Sequence, residues 1–236
     1  MNRKDFLLKS IGLISLSPLV QACIKDPEGG TNATSTDSIS GTNNGSSSAK
    51  CSITNTETEG PYPTHVPTNF IIKDIRADRQ GTPMVANIVI KNGKNACNPL
   101  SNVSVDIWHC DADGNYSEYG NSTSAHFLRG RQTTDANGQA SFQTIFPGWY
   151  SGRAVHIHVH VFDASGKSLL VTQIAFPAAI CDTVYTTATN FYKRGKADTS
   201  NERDGIFSDG YGLELAGLSG SVENGYTLNH TIVVNA

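Results

Sequence analysis

The sequence predicts an all-β protein, an antiparallel β-sandwich with long loops, from three observations. Short runs rich in β-branched and aromatic residues recur from Cys51 onward, dipeptides suited to tight turns separate them, and no helix-period segment of convincing length interrupts them. In order the runs are Asn69–Ile75, Val85–Lys91, Val103–His109, Ala140–Phe146, Val155–Phe162, Leu169–Ala175 and Thr231–Val234. The separators are Asn92-Gly93, Asp113-Gly114, Asn137-Gly138, Ser165-Gly166 and Asn224-Gly225, residues that tolerate the positive φ of hairpin turns. Residues 181–225 have weak periodicity and many small polar residues, which predicts loops with one short helix around Val184–Lys193. No internal repeat is present.

Length and composition bound the rest. A chain of 236 residues with 38% hydrophobic residues can build a real core, so it is neither fibrous nor wholly disordered. Charged residues are 17% and the net charge is −3, which does not supply the phosphate-neutralising surface that nucleic-acid binding requires. No stretch after the N-terminus approaches the roughly 18 consecutive apolar residues of a membrane span.

Arg3, Lys4 and Lys9 precede the apolar run Ile11–Val20, which ends in Gln21-Ala22-Cys23. A basic region, a short hydrophobic region and a small residue before a cysteine read as an export signal over residues 1–22. The arrangement resembles a bacterial lipobox, in which cleavage before Cys23 leaves a lipid anchor on that cysteine. The other reading is an ordinary signal peptide with an incidental cysteine. Residues 23–50 are mostly Gly, Ser, Thr and Asn, which bury too little apolar surface to offset the entropy of ordering, so they read as a flexible tether. As a random coil it would hold the 51–236 domain about 25–30 Å from its anchor at the cell envelope.

Four cysteines remain in that domain: Cys51, Cys97, Cys110 and Cys181. An even count in an exported protein predicts two disulfides, in one of three connectivities that the spacing does not select. Thiol ligation of a metal is the rival, although no Cys-x-x-Cys pair is present.

Chemistry concentrates in Phe146–Phe162. Alternation along a strand puts His156, His158 and His160 on one face and Ile157, Val159 and Val161 on the other. A bare His-x-His face is commonly just a solvated sheet surface, so its neighbours decide its meaning. Tyr150 lies six residues before His156 and Arg153 three before it, while Tyr116 follows the Asp113-Gly114 turn. Phenolates and imidazoles form a hard-to-borderline oxygen and nitrogen donor set, which suits iron rather than the metals that thiolates select.

Four segments carry a resemblance to a known family. They are Thr58-Glu-Gly-Pro-Tyr62, Val105-Asp-Ile-Trp-His-Cys-Asp-Ala-Asp-Gly-Asn-Tyr116, Arg129-Gly-Arg-Gln-Thr-Thr-Asp135 and Phe142-Gln-Thr-Ile-Phe-Pro-Gly-Trp-Tyr-Ser-Gly-Arg-Ala-Val-His-Ile-His158. Together they resemble the intradiol ring-cleavage dioxygenases, in the exported branch similar to protocatechuate 3,4-dioxygenase. The likeness covers most of residues 51–180.

The resemblance implies a non-haem Fe(III) held by Tyr116, Tyr150, His156 and His158, with Tyr150 leaving the metal to act as a base. It implies that Arg153 faces the bound ring, that Gln173 lies beside the substrate, and that Pro61 and Tyr62 line the pocket mouth. The implied reaction cleaves a catechol-type diol with O2 to a muconate-type dicarboxylate. One departure is the six-residue step from Tyr150 to His156, shorter than in better-known soluble members. His160 and Tyr119 fall outside the motifs. Two rivals stand beside this reading: a non-catalytic exported β-sandwich that binds a ligand or surface protein, and a zinc or copper hydrolase using His156, His158 and His160.

Overall fold

The computed structural model of the protein describes residues 51–236. The export signal over 1–22, the anchor at Cys23 and the tether over 23–50 lie outside the described residues. The strands are β1 (Pro83–Asn92), β2 (Asn98–Pro99), β3 (Ser104–Trp108), β4 (Arg129–Thr133), β5 (Gln139–Ile145), β6 (His156–Phe162), β7 (Ser168–Ala175), β8 (Gly217–Ser221) and β9 (Gly225–Val234). A single α-helix among the described residues, α1 (Ala178–Thr187), follows β7.

Two sheets form the sandwich. One runs β2-β1-β9-β8, with β5 also paired to β1, and the other runs β4-β3-β6-β7. All pairs of these strands but one are antiparallel; β9 returns beside β1 in parallel, from Met84 opposite Tyr226 to Asn92 opposite Val234. Alternation decides what faces inward. Ala86, Ile88 and Ile90 of β1, Phe142 of β5 and Leu228 and Ile232 of β9 meet Val105, Ile107, Ile157, Val159, Val161 and Ile174 of the second sheet in one buried cluster. Each such side chain contributes about 1.5–3 kcal/mol by leaving water.

Several expectations need correction. Asn69–Ile75 is not a strand: Pro67 opens a short 3-10 helix, Pro67–Phe70, and only Asp74 bridges to Gln143 on β5. Ile71 and Ile72 remain exposed, so no half-buried alternation drives pairing there. Arg129–Thr133 is a strand that its polar sequence concealed, because its Arg131 satisfies itself against Asp106 of the neighbouring β3. The Gly-rich edge strand β8 was hidden by low strand propensity. The helix begins six residues before the expected Val184, starting after Pro177 and ending at Thr187, with Ala188 as its C-cap. Of the five turn dipeptides, four have glycine at positive φ; Asn92-Gly93 instead opens a 3-10 turn capped by the Asn92 side chain.

The cysteines form one disulfide among the described residues, Cys51–Cys97, rather than two. Cys110 and Cys181 are both buried and free, one packed with Trp108 and Tyr116 and the other on α1 in the main core. Separate packing environments, not spacing, keep them apart.

Candidate metal centre

The outer face of the second sheet carries the site. Strand register places His158 opposite Trp108 on one side and Gln173 on the other. The Trp108 ring stacks flat on His158, with centroids 4.9 Å apart and planes 1° from parallel, which fixes the imidazole plane. His156 and His158 are both buried, so the histidine face is no solvated surface.

Loops bring the phenols to these imidazoles. Asp111 folds the β3–β4 connection into a tight turn: its carboxylate accepts from the Asp113 and Asn115 amides at 3.0 and 2.9 Å, and Tyr116 follows directly. The β5–β6 connection approaches so closely that a Cβ on Gly148 would overlap the Asp111 carbonyl oxygen. Tyr150 is thereby set edge-on to Tyr116, with ring centroids 5.8 Å apart.

Four donor atoms converge. Nε2 of His156 lies 3.1 Å from Nε2 of His158, 3.4 Å from the Tyr116 hydroxyl and 3.5 Å from the Tyr150 hydroxyl. Nδ1 of His156 lies 2.6 Å from the Ala154 carbonyl, a pure acceptor, so Nδ1 carries the proton and Nε2 presents a lone pair to the cluster. Burial pushes His156 down to about 3, and Arg153 adds to the effect. Burial, reinforced by the neighbouring His156, holds His158 well below the ordinary imidazole range. Both rings are therefore neutral at neutral pH, a state in which an imidazole can offer a lone pair. Burial likewise raises the Tyr116 phenol well above its usual 10 and raises Tyr150 as well, so their ionisation calls for a cation between them.

That donor set fits a ferric ion. Two ligands about 2.1 Å from one ion at a right angle lie roughly 3 Å apart, close to the separations found. Two neutral nitrogens and two anionic oxygens would also offset most of its charge.

Arg153, which lies next to this group, donates through Nε to both oxygens of Asp204 at 3.0 and 2.9 Å and through Nη2 to Gln173 Oε1 at 2.5 Å. Its Nη1 lies 3.5 Å from the Tyr150 hydroxyl, and its charge counteracts the rise in the Tyr150 pKa. Gln173 is buried and donates to the Thr58 carbonyl at 2.9 Å, so the N-terminal segment joins the same network. That segment continues over the site. Gly60, at φ +68°, presses on His158, where an added Cβ would stand 3.1 Å from the ring. Tyr62 stacks on Tyr116 at 4.7 Å. Pro61 is exposed at the turn before Tyr62 and does not line the cavity.

A cavity of about 370 Å³ opens over the two phenols, walled by Tyr62, Tyr116, Tyr119 and Tyr150 with Asn115 and Asn121. Tyr119, outside the motifs, is thus a wall residue, its hydroxyl donating to the Pro63 carbonyl at 2.6 Å. Arg129 opens the third of the resembling segments. It is buried behind the cavity, donating to the carbonyls of Ser117 and Tyr62 at 2.6 and 2.8 Å, and ties the two covering loops together. His160 stands apart from the four: it faces Glu59 at 2.9 Å and Ser168 at 2.8 Å. Among the described residues no three His, Cys, Asp or Glu side chains converge as a metal site, so the tyrosines are needed to complete one. Cys110 is buried against Trp108 and Tyr116, and burial pushes its thiol up to about 12.

A family model described as dioxygenase (Dioxygenase_C) matches residues 58–191, more than half of the chain. The chain belongs to the intradiol ring-cleavage dioxygenases. It is 38% identical over 93 residues to catechol 1,2-dioxygenase 2 of Acinetobacter lwoffii, covering 32% of this chain and 34% of that protein. It is 34% identical over 119 residues to the protocatechuate 3,4-dioxygenase beta chain of Burkholderia cepacia, covering 43% and 49%. The match thus spans about a third to a half of these curated relatives. Its fold is similar to that of an intradiol ring-cleavage dioxygenase from Tetranychus urticae, with a TM-score of 0.71, 27% identity, and coverage of 78% of this chain and 95% of that one. Members of the family act on catechol-type rings and generally depend on non-haem Fe(III).

Proposed function

We propose that this intradiol dioxygenase binds one Fe(III) through Tyr116, Tyr150, His156 and His158 and cleaves a catechol-type diol with O2 to a muconate-type dicarboxylate. The convergence of two imidazole nitrogens and two phenol oxygens within 3.1–3.5 Å of His156 Nε2 is the observation that carries this reading. When bound, the ferric ion supplies Lewis acidity that polarises the diol and makes its ring reactive toward O2.

The chain's own groups do the rest. Tyr150 is half-buried at the cavity, whereas Tyr116 is buried to 4% exposure. Tyr150 is therefore the phenol that can move, and its oxygen accepts one proton from the incoming diol. Tyr116, wedged between Tyr62 and Trp108, stays in place. Arg153 keeps a fixed cation beside the Tyr150 oxygen, where it stabilises negative charge on the substrate. Gln173 orients Arg153, and Tyr62 with Tyr119 walls the ring and excludes water.

The protein is read as exported, with a lipid anchor at Cys23; the Cys51–Cys97 disulfide supports an oxidising compartment. The deciding experiment incubates the iron-loaded protein with catechol under O2 and identifies the product. Cis,cis-muconate formed with one O2 consumed per ring is expected. A semialdehyde from cleavage outside the diol, or no O2 uptake, would overturn the proposal.

A further inference from the structure

Only five residues, 151–155, separate Tyr150 from the strand that carries His156, too few to form an element of their own. Many of their hydrogen bonds, and those of the adjoining Trp149, are instead met from residues 194–204, beyond the 58–191 stretch that matches the family. Trp149 Nε1 donates to the Gly195 carbonyl at 2.8 Å, and Arg194 donates to the Trp149 carbonyl at 2.9 Å. The Asp198 carboxylate accepts from Ser151 Oγ at 2.6 Å and from the Gly152 amide at 3.2 Å. Asp204 accepts from Arg153 Nε with both oxygens and from the Ala154 amide at 2.8 Å, and it is 2% exposed. Ala154 is also the residue whose carbonyl fixes the His156 tautomer.

We propose that the segment 194–204 is a clamp that positions the Tyr150–His156 loop, with Asp204 as the positioning residue for Arg153. The inference rests on the ring-cleavage reading, in which Arg153 faces the substrate. Asp204 holds the guanidinium by its Nε edge and Gln173 holds it by Nη2, which leaves Nη1 aimed at the Tyr150 oxygen. A buried carboxylate that bridges the Arg153 side chain and the Ala154 backbone couples the orientation of the cation to that of the first histidine ligand. Loss of Asp204 frees Arg153 to swing away, and displacements near 1 Å at a reacting centre are costly to turnover.

The test is a double-mutant cycle on the full chain with iron bound: wild type, Asp204→Asn, Arg153→Ala and the double variant. Catechol turnover, iron content and the visible band of iron-bound tyrosinate are measured for each. Asp204→Asn is expected to retain iron, to lower kcat about tenfold or more with a smaller change in KM, and to cost much less on the Arg153→Ala background than in the wild type. Wild-type kcat in Asp204→Asn, or losses that multiply in the double variant, would overturn the role. If Asp204→Asn does not fold, Asp204→Glu, which keeps the charge on a longer arm, takes its place in the cycle under the same criteria. If wild type binds iron but does not cleave catechol, the ring-cleavage reading falls by itself. The cycle is then read on anaerobic catechol affinity, where coupled losses support the clamp and independent losses overturn it.

Discussion

His158 and Tyr150 make different demands on the site. His158 is fixed by stacking on Trp108 and by register between two strands, and in the proposed function it serves as a ligand alone. His158→Ala is therefore expected to lose most of the iron, measured as metal per chain; full retention would reject the assignment. In the proposed function Tyr150 is both ligand and base. Tyr150→Phe should keep the iron on the remaining three ligands, shift the tyrosinate band, and slow turnover by about a hundredfold, in the range of a lost general base. Unchanged kinetics would remove it as the base. These residues were legible because alternation places both histidines on one face and because Tyr116 and Tyr150 sit in motifs. Asp204 and Tyr119 were not. Asp204 reaches Arg153 across 51 residues of chain in a segment without periodicity, and Tyr119 becomes a wall only once Tyr62 folds over the loop.

Strand β7 joins the site to a group of carboxylates on its far side. Thr172, one residue before Gln173, donates to Glu214 Oε1 at 3.1 Å, while Glu214 Oε2 is buried without a partner. Burial and the neighbouring Glu57 push Glu214 up to about 8; burial and Asp209 push Glu57 up to about 7, with Arg153 opposing. Both carboxyls bind protons more tightly in the folded chain than in the unfolded one, whose carboxyls titrate near 4.5. Their contribution to stability is full below about pH 4.5 and falls as pH rises through 7 to 8. Glu214→Gln, which cannot ionise, should raise Tm by about 5 °C at pH 8 and leave it nearly unchanged at pH 5. An equal shift at both values would show that packing, not protonation, is responsible. At this scale the strands with strong alternation, β1, β5, β6 and β7, were legible. The polar β4 and the Gly-rich β8 were not, because tertiary pairing rather than propensity makes them strands.

The whole domain is closed at its N-terminal end by the disulfide. Cys51–Cys97 ties the start of the segment carrying Thr58, Gly60 and Tyr62 to the β1–β2 hairpin across 46 residues. A cross-link of that span removes about 2–4 kcal/mol of chain entropy from the unfolded state. Cys97→Ser should accordingly lower Tm by about 5–10 °C, measured under non-reducing conditions. No change would place the stability of that end elsewhere. Composition could count the cysteines but could not show that Cys110 and Cys181 pack in different clusters. The sandwich class itself was legible, since it rests on turn chemistry and alternation repeated along the chain; the parallel return of β9 beside β1 was not, because it depends on a connection no local pattern encodes.

A single ferric ion proposed to be held by Tyr116, Tyr150, His156 and His158 would be revealed by metal analysis with a visible spectrum, before and after anaerobic addition of catechol. About one iron per chain is expected, with a broad tyrosinate-to-Fe(III) band that shifts when catechol binds. A colourless protein that takes up no iron on reconstitution would contradict that assignment.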